Sequence, residues 1–424
     1  MGWMDTSVYG SQFYQTPNTD RLASQGMRFT QAYAACPVCS PTRASILTGK
    51  YPARLHLTDW IPGHKKPWAR LRVPDWTMRL EPSEVTIAEA LKPAGYTTGC
   101  IGKWHLGNAP EFLPDKQGFD FAKVLPTKTE NDPKSAATIT NLALQFLDNN
   151  KDKPFFLYVA HHAVHLPIEA PKETIAKYEA LKKPGLAQSN AAYAAMVDLT
   201  DACVGKVLQR LDELRLADHT VVIFMSDNGG LARGKDKNQP TSNLPLREGK
   251  GTLYEGGVRE PLIVRWPGAV KPGSTCATPV ISVDFYPTIL EIAGLAKAPD
   301  QILDGLSLVP LLKGGATLKR DALYWHYPHY HVEKPAGAVR AGDFKLIEYF
   351  EDGRLELYNV KDDIGEKNNL AAAMPDKAKE LRAMLENWRQ SVGAQMPTPN
   401  PNYDPARANQ GPEKKKGKSA PSEE

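Results

Sequence analysis

A chain of 424 residues can bury a large core and can form more than one domain. Its 52 basic and 48 acidic residues are too evenly balanced for a nucleic-acid-binding protein, and no apolar run approaches the roughly 20 residues that span a bilayer. The five cysteines are odd in number and scattered, which implies no disulfide framework. The composition is therefore that of an ordinary soluble globular protein.

The first chemically informative segment is a cysteine placed at the start of a predicted helix. A short helix over residues 16–26, with Pro17 at its start, precedes it. Pro41 biases the chain towards extended geometry just before it, so the backbone turns immediately after Cys39, and the helix ends at Gly49. With Arg43 one step inside the helix, the arrangement favours an anion at the cysteine. A redox pair formed by Cys36 and Cys39 is the alternative interpretation.

Two predicted strands lead directly into histidines. Residues 96–101, which follow a capped helix over 85–95, predict a strand that leads into Lys103 and His105. Residues 155–160 are an unbroken apolar run of strand length, as expected for a strand buried on both faces, and they lead into His165.

The spacing of His161 and His165 resembles that of zinc ligands. No C-x-x-C pair precedes them and no acidic residue lies nearby, so we interpret His161 and His162 as structural.

A third predicted strand, residues 221–225, leads into a glycine-rich segment that contains Asp227 and Asn228. It follows an amphipathic helix over residues 193–214, whose apolar stripe predicts a core-facing helix. A carboxylate beside an amide oxygen suits a hard cation such as calcium. Taken alone, the segment D-N-G-G at residues 227–230 is most often only a turn.

These polar residues share one position in the predicted fold. Lys103, His165 and Asp227 each follow a strand, and open α/β sheets place their ligands at the carboxyl ends of their strands. We expect an α/β fold with a large, mixed but mostly parallel sheet flanked by helices. The cations at its edge would form a cluster that suits a tetrahedral anion.

After about residue 320 the predicted elements are short antiparallel strands followed by one long helix. Three short segments (339–340, 345–349 and 355–359) predict antiparallel strands, and residues 375–392 predict a helix, which together form a smaller sheet-plus-helix subdomain. The last segment, residues 396–424, is rich in Pro, Asn and Lys and predicts a disordered tail.

Several of these segments together resemble one known family. The run C-S-P-T-R-A-S at residues 39–45 is similar to the signature of the formylglycine-dependent type I sulfatases of the alkaline phosphatase superfamily. Further matching stretches are G-Y-T-T-G-C-I-G-K-W-H-L-G, the segment around His165, D-N-G-G, and R-E-G-K-G-T-L-Y-E-G-G-V-R-E-P, which ends at Pro261.

The resemblance implies hydrolysis of a sulfate ester, most simply of a sulfated carbohydrate. It implies that a formylglycine-generating enzyme oxidises Cys39 to formylglycine, whose hydrate is the nucleophile. It also implies a calcium ion held by Asp227 and Asn228 together with the modified Cys39, and a periplasmic or secreted location. The residues to which it gives catalytic roles are Cys39, Arg43, Lys103, His105, His165 and Lys250.

The same resemblance predicts the domain organisation. Residues 1–320 would be the catalytic domain and residues 321–395 the C-terminal subdomain. In the family a first strand that ends in two metal-binding aspartates precedes the segment that matches residues 1–11, and neither the strand nor a signal peptide is found in this chain. We therefore expect an N-terminally truncated sulfatase, and we do not transfer the role of those aspartates to Asp5.

Alternatives remain open for the activity and for the substrate contacts. A phosphate or phosphonate ester hydrolase of the same superfamily and an inactive, truncated binder of sulfated glycans are the other functions. Aromatic and histidine side chains at Trp325, His326 and His329 would form either a sugar-binding rim or a packed seam between domains.

Overall fold

The computed structural model describes residues 1–129, 132–232, 239–315, 317–408 and 410–413. Its α-helices are α1 (Pro17–Gln25), α2 (Cys39–Thr48), α3 (Pro52–Leu55), α4 (Ile87–Leu91), α5 (Ala136–Asn150), α6 (Lys172–Leu181), α7 (Ala191–Glu213), α8 (Glu255–Val258), α9 (Phe285–Ile292), α10 (Val309–Leu312) and α11 (Pro375–Ser391). The first eight strands are β1 (Met27–Tyr33), β2 (Leu71–Arg72), β3 (Thr97–Gly102), β4 (Phe121–Val124), β5 (Lys128–Thr129), β6 (Asp132–Pro133), β7 (Phe155–Ala160) and β8 (Val222–Met225). The other eight are β9 (Arg259–Arg265), β10 (Ser274–Cys276), β11 (Val280–Ile281), β12 (Leu323–Tyr327), β13 (Ala336–Ala341), β14 (Phe344–Tyr349), β15 (Leu355–Asn359) and β16 (Thr398–Pro399).

The predicted α/β class is confirmed, and the large sheet consists of two separate parts. One part has the order β10-β1-β9-β8, with β11 also paired to β1, and the other has the order β4-β3-β7. Strand β9 runs antiparallel to both of its neighbours, whereas the pairs in the second part are parallel. Strands β7 and β8 are only half-buried, although their apolar sequences predict burial on both faces.

Local sequence explains the boundaries of the helices around these sheets. Thr86 and Glu89 form the predicted capping box at the start of α4, each side chain bonding to the other residue's backbone N–H. At the start of α7, the Asn190 side chain accepts hydrogen bonds from the backbone N–H groups of Ala192 and Tyr193. Among the described residues, no helix has the length and apolarity that crossing a membrane would require.

The C-terminal module packs directly on the large domain. Strands β12-β13-β14-β15 form an antiparallel sheet covered by α11. The sequence predicts the last three of these strands and the helix, and β12 is a fourth strand that it did not predict. One core cluster joins Val38 and Cys39 of the large domain to Trp325 and Leu346 of the module. The indole N–H of Trp325 donates to the carbonyl of Ala34 at 2.8 Å, so the seam between the modules lies against the segment before α2.

The start of the predicted disordered tail is ordered, which corrects that expectation. Strand β16 pairs with β2, and the Asn400 side-chain amide donates to the carbonyls of Pro67 and Ala69. The guanidinium of Arg407 lies 3.7 Å from the ring centroid of Trp68. Contacts to a distant loop therefore hold a segment whose polar composition predicts disorder, and residues 414–424 lie outside the described part of the chain.

Candidate active site

Cys39 is the first residue of α2 and lies buried at the carboxyl ends of the central strands. Its Sγ is 3.3 Å from Nδ1 of His105 and 3.8 Å from Nζ of Lys103. Burial alone would raise the pKa of the Cys39 thiol, but Lys103, His105 and Lys250 outweigh burial and lower that pKa to about 5. The surroundings of residue 39 therefore stabilise negative charge.

His105 faces Cys39 in a defined tautomer. Its Nε2 lies 2.6 Å from the carbonyl oxygen of Ile61, and because a carbonyl only accepts, Nε2 carries the proton. Nδ1 faces residue 39, and because Nε2 is engaged by Ile61 it is the ring atom that can exchange a proton there. The backbone of His105 has φ 59°, a left-handed conformation that is uncommon for a non-glycine residue and directs the ring towards α2.

Arg43 and Asp227 form a buried ion pair beside the cysteine. Nε and Nη2 of Arg43 donate to Oδ2 of Asp227 at 3.0 and 2.8 Å, and Nη1 donates to the carbonyl of Lys103 at 2.9 Å. Burial favours protonation of Asp227, but Arg43 and Lys103 hold the pKa of its carboxyl well below the usual range. Arg43 thus joins α2 to the ends of β3 and β8.

Lys250 and His165 form the other side of the cluster. Nζ of Lys250 lies 3.0 Å from Nε2 of His165, and Nδ1 of the same ring donates to the carbonyl of Leu166 at 3.0 Å. His165 is therefore neutral, with Nε2 as an acceptor. Burial lowers its pKa well below the usual value, and Lys250 and Lys103 lower it further.

The structure brings the six predicted catalytic residues and Asp227 together at one edge. Cys39, Arg43, Lys103, His105 and Asp227 are connected by direct contacts, while Lys250 pairs with His165 and acts electrostatically on the Cys39 thiol. Parallel strand pairing explains this convergence, because the backbone N–H of Lys103 bonds to the carbonyl of Ala160 at the end of β7.

The residues present do not complete the predicted calcium site. Within the described ranges, no group of three or more His, Cys, Asp or Glu side chains could hold a metal ion. Asp227 and Asn228 offer two side-chain ligands, whereas calcium takes six to eight oxygens. Oδ2 of Asp227 is already engaged by Arg43, and Lys103 and Lys250 place further positive charge nearby. We therefore derive no step through a metal.

The affinity of the protein for calcium tests whether these residues form a calcium site. Because two ligands beside a guanidinium and two ammonium groups repel a divalent cation, we expect isothermal titration with calcium chloride to show no binding tighter than about millimolar. The Asp227→Asn variant should give the same titration. Micromolar calcium binding to the unsubstituted protein that is lost in Asp227→Asn would support the predicted calcium site.

Asp59 is a site-supporting residue that sequence reasoning missed. Its Oδ1 accepts hydrogen bonds from the Tyr327 hydroxyl at 2.7 Å and from the backbone N–H of Trp60 at 2.9 Å. These bonds anchor the loop whose Ile61 carbonyl fixes the tautomer of His105. Burial raises the pKa of the Asp59 carboxyl to about 7. No local pattern marks this aspartate, because its partner comes from β12.

The raised pKa of Asp59 predicts how its contribution to stability changes with pH. The folded protein retains the proton up to about pH 7, whereas an unfolded aspartate loses it near pH 4, so the contribution of Asp59 to stability falls as pH rises between these values. The destabilisation caused by Asp59→Asn should therefore be smaller at pH 8 than at pH 5 in urea unfolding. Asp75→Asn, at an exposed position, is the control, and an equal or larger loss at pH 8 would contradict the prediction.

Trp325, His326 and His329 lie inside the seam between the modules. Their exposed fractions are 1%, 4% and 2%. Nε2 of His326 bonds to the carbonyl of Gln395, and Nε2 of His329 to the hydroxyl of Thr58. These positions agree with the packed-seam alternative rather than with a sugar-binding rim, because a stacked sugar requires an exposed ring face.

Comparisons with known proteins agree with this geometry. The Sulfatase family model matches residues 1–295, and the model described as N-sulphoglucosamine sulphohydrolase, C-terminal, matches residues 249–391. The chain is 33% identical to a sulfatase of Formosa agariphila, over 92% of this chain and 86% of that protein. It is 34% identical to the N-acetylgalactosamine-6-sulfatase of Canis lupus familiaris, over 77% of this chain and 66% of that protein.

A solved structure resembles the whole fold. The crystal structure of Ps i-CgsB in complex with k-i-k-neocarrahexaose is 27% identical, with a TM-score of 0.79 over 95% of this chain and 92% of that chain. The family match covers more than half of this chain, and the motifs within it supply the cluster around residue 39. The chain belongs to the sulfatase family, the sulfuric ester hydrolases of the alkaline phosphatase superfamily.

Proposed function

We propose that this protein hydrolyses sulfate esters of a sulfated carbohydrate and that residue 39 acts as formylglycine. The observation that carries the proposal is the position of Cys39, whose Sγ lies within 3.8 Å of both Lys103 Nζ and His105 Nδ1. The names of the relatives support the substrate class, since one is an N-acetylgalactosamine-6-sulfatase and one solved structure is a complex with k-i-k-neocarrahexaose. Calcium is not part of the proposal.

The surroundings of residue 39 suit the modified side chain. When formed, by a formylglycine-generating enzyme in this proposal, formylglycine supplies hydrated-aldehyde oxygens as the nucleophile. Nδ1 of His105 is placed to accept a proton from an oxygen at the position of Sγ, and Lys103 is placed to donate a hydrogen bond to it. Because Nε2 of His105 already donates to Ile61, this proton transfer leaves the ring held in place.

Lys250, Lys103 and Arg43 have the remaining roles in this mechanism. Lys250 is the proton donor for the leaving oxygen, because the neutral His165 accepts at Nε2 and uses Nδ1–H on Leu166. Lys103 and Lys250 also stabilise the negative charge that develops on the sulfate oxygens. Arg43 positions the others: it holds Asp227 and the Lys103 carbonyl, and so fixes α2 against the strand ends.

The function is tested by comparing esters under one set of conditions. The full chain would be produced together with a formylglycine-generating enzyme and assayed with matched sulfate, phosphate and phosphonate monoesters, and then with a panel of sulfated sugars. We expect kcat/KM to be highest for sulfate esters. Preference for phosphate or phosphonate would favour the related hydrolase, and glycan binding without turnover would favour an inactive binder. The periplasmic or secreted location stays a prediction.

Lys250 gives a more specific prediction for this chemistry. Replacing it by alanine removes an ammonium group that meets charge in the transition state, so kcat/KM for a sulfate ester should fall by about 100- to 1,000-fold. The control is Lys271→Ala, at an exposed position. A loss below about threefold in the Lys250 variant would contradict the role of this lysine.

A further inference from the structure

The side chain of Asn243 connects three backbone segments beside the catalytic cluster. Its Nδ2 donates to the carbonyl oxygens of Gly230 and Glu248, both at 2.9 Å, and lies 3.3 Å from the carbonyl oxygen of Gly256. Because an amide carries two hydrogens, the two shorter bonds are the stronger ones and the contact with Gly256 is weaker. Asn243 is 1% exposed, so these carbonyls replace water as the partners of its amide.

The amide of Asn243 fits this position in one orientation. Its Oδ1 accepts no hydrogen bond from the described residues and faces Gly230, where an added Cβ would come within 2.7 Å of it. With the amide reversed, Oδ1 would face the three carbonyl oxygens, and because a carbonyl only accepts, none of these contacts could be a hydrogen bond. Asn243 therefore acts here as a donor, which a carboxylate of the same shape cannot do.

Two of the three segments carry side chains of the catalytic cluster. Gly230 lies three residues after Asp227, and its carbonyl also accepts a hydrogen bond from the backbone N–H of Lys250 at 3.2 Å. Glu248 lies two residues before Lys250 and has φ 56°, in the left-handed region. A non-glycine residue keeps that conformation only where neighbouring contacts hold it, and the bond from Asn243 to its carbonyl is such a contact. Asn243 thus fixes the backbone that carries Lys250.

The three segments approach one another as bare backbone. A Cβ on Gly249 would lie 2.3 Å from the carbonyl oxygen of Gly230, and a Cβ on Gly256 would lie 2.3 Å from that of Glu248. These distances leave no room for a Cβ at either glycine. The segments therefore have no side chains of their own at these two positions, and the amide of Asn243 bridges them.

We propose that Asn243 is a positioning residue for Lys250. Its amide holds the backbone of Lys250 against the segment after Asp227, and so keeps Nζ of Lys250 3.0 Å from Nε2 of His165 and directed at the leaving oxygen. This inference rests on the proposed function, in which Lys250 gives a proton to that oxygen. Proton transfer requires a donor within hydrogen-bond reach, and a misplacement of about 1 Å can lower a rate about 100-fold. Loss of Asn243 should therefore weaken acid catalysis while the acid itself is retained.

Two esters that differ in their need for a proton test this role. Nitrophenolate leaves from 4-nitrophenyl sulfate without protonation, whereas the alkoxide of a sugar sulfate needs a proton to leave. We expect Asn243→Ala to lower kcat/KM for the best sugar sulfate of the substrate panel at least about tenfold more than kcat/KM for 4-nitrophenyl sulfate. Both esters are measured on one preparation, so the amount of folded protein cancels in the comparison. Equal losses for the two esters would overturn the proposal.

Two further variants serve as the control and the alternative. Ser242→Ala removes a neighbouring buried hydroxyl, which accepts a hydrogen bond from the backbone N–H of Leu244 at 3.4 Å. It should change kcat/KM for either ester by less than about threefold. Asn243→Ser keeps a shorter donor, and it should show the same selective loss, less strongly, where too little of Asn243→Ala folds. A loss in Asn243→Ser that is equal for the two esters would also overturn the proposal.

A double variant separates positioning from a general loss of structure. In the Lys250→Ala background, Asn243→Ala should lower kcat/KM for the sugar sulfate further by less than about threefold, because the group that Asn243 positions is already absent. A further loss as large as in the unsubstituted protein would overturn the positioning role and leave the proposed function intact. Absence of sulfate ester hydrolysis by the unsubstituted protein would instead refute the proposed function, and this inference with it.

Discussion

Replacing Cys39 by alanine should lower kcat for sulfate ester hydrolysis by about four orders of magnitude or more, since removing an enzyme's nucleophile has effects of this size. Within the described part of the chain, both His105 Nδ1 and Lys103 Nζ approach the side chain at this position within 3.8 Å, and they share no other contact. The remaining cations can still bind the sulfate ester, so the expected loss lies in kcat rather than in KM.

Cys36 provides the matched control for this substitution. It is also buried and lies three residues earlier, and its thiol contacts the carbonyl of Thr58 at 3.9 Å. Burial raises the pKa of its thiol well above the usual value, in contrast to Cys39. Cys36→Ala should therefore stay within about tenfold of the unsubstituted protein. Full activity in a preparation whose intact mass shows an unmodified Cys39 would contradict the assignment of formylglycine.

Replacing Lys345 by methionine should lower the free energy of unfolding by about 3–5 kcal/mol, because Glu366 loses its cation inside the protein while Arg259 stays paired only with Glu255. Nζ of Lys345 lies 3.0 Å from Oε1 of Glu255 and 3.0 Å from Oε1 of Glu366, and all three side chains are 0% exposed. Glu255 belongs to the large domain and Lys345 to β14, so this ion cluster also joins the two modules.

The comparison for Lys345 is an exposed ion pair in the same module. Lys361 approaches Asp343 at 3.4 Å, with 68% and 52% of the two side chains exposed. Exposed pairs contribute about 0–1 kcal/mol, so Lys361→Met should change stability little. Urea unfolding of both variants checks the difference. Equal, small losses would mean that the buried cluster does not stabilise the seam.

Local sequence alone determined the parts of the site that depend on strand ends and helix starts. The apolar runs before His165 and Asp227 predict β7 and β8, and the turn at Pro41 with the helix-forming residues from Ala44 to Gly49 predicts helix α2. Their meeting follows from a general property of α/β sheets, because parallel strands end at a common edge. The helix caps also follow from local spacing, as the Thr86 and Glu89 pair shows.

Only the tertiary structure decided which distant groups support that site. Ile61 fixes the tautomer of His105, and Tyr327 donates a hydrogen bond to Asp59. Lys345 pairs with Glu255. In each case the partner comes from a remote segment, and no local sequence pattern predicts the contact. The same holds for strand pairing, since an apolar run predicts a buried strand but not which strand lies beside it. Periodicity and turn chemistry act over a few residues, whereas these pairings depend on how the layers pack.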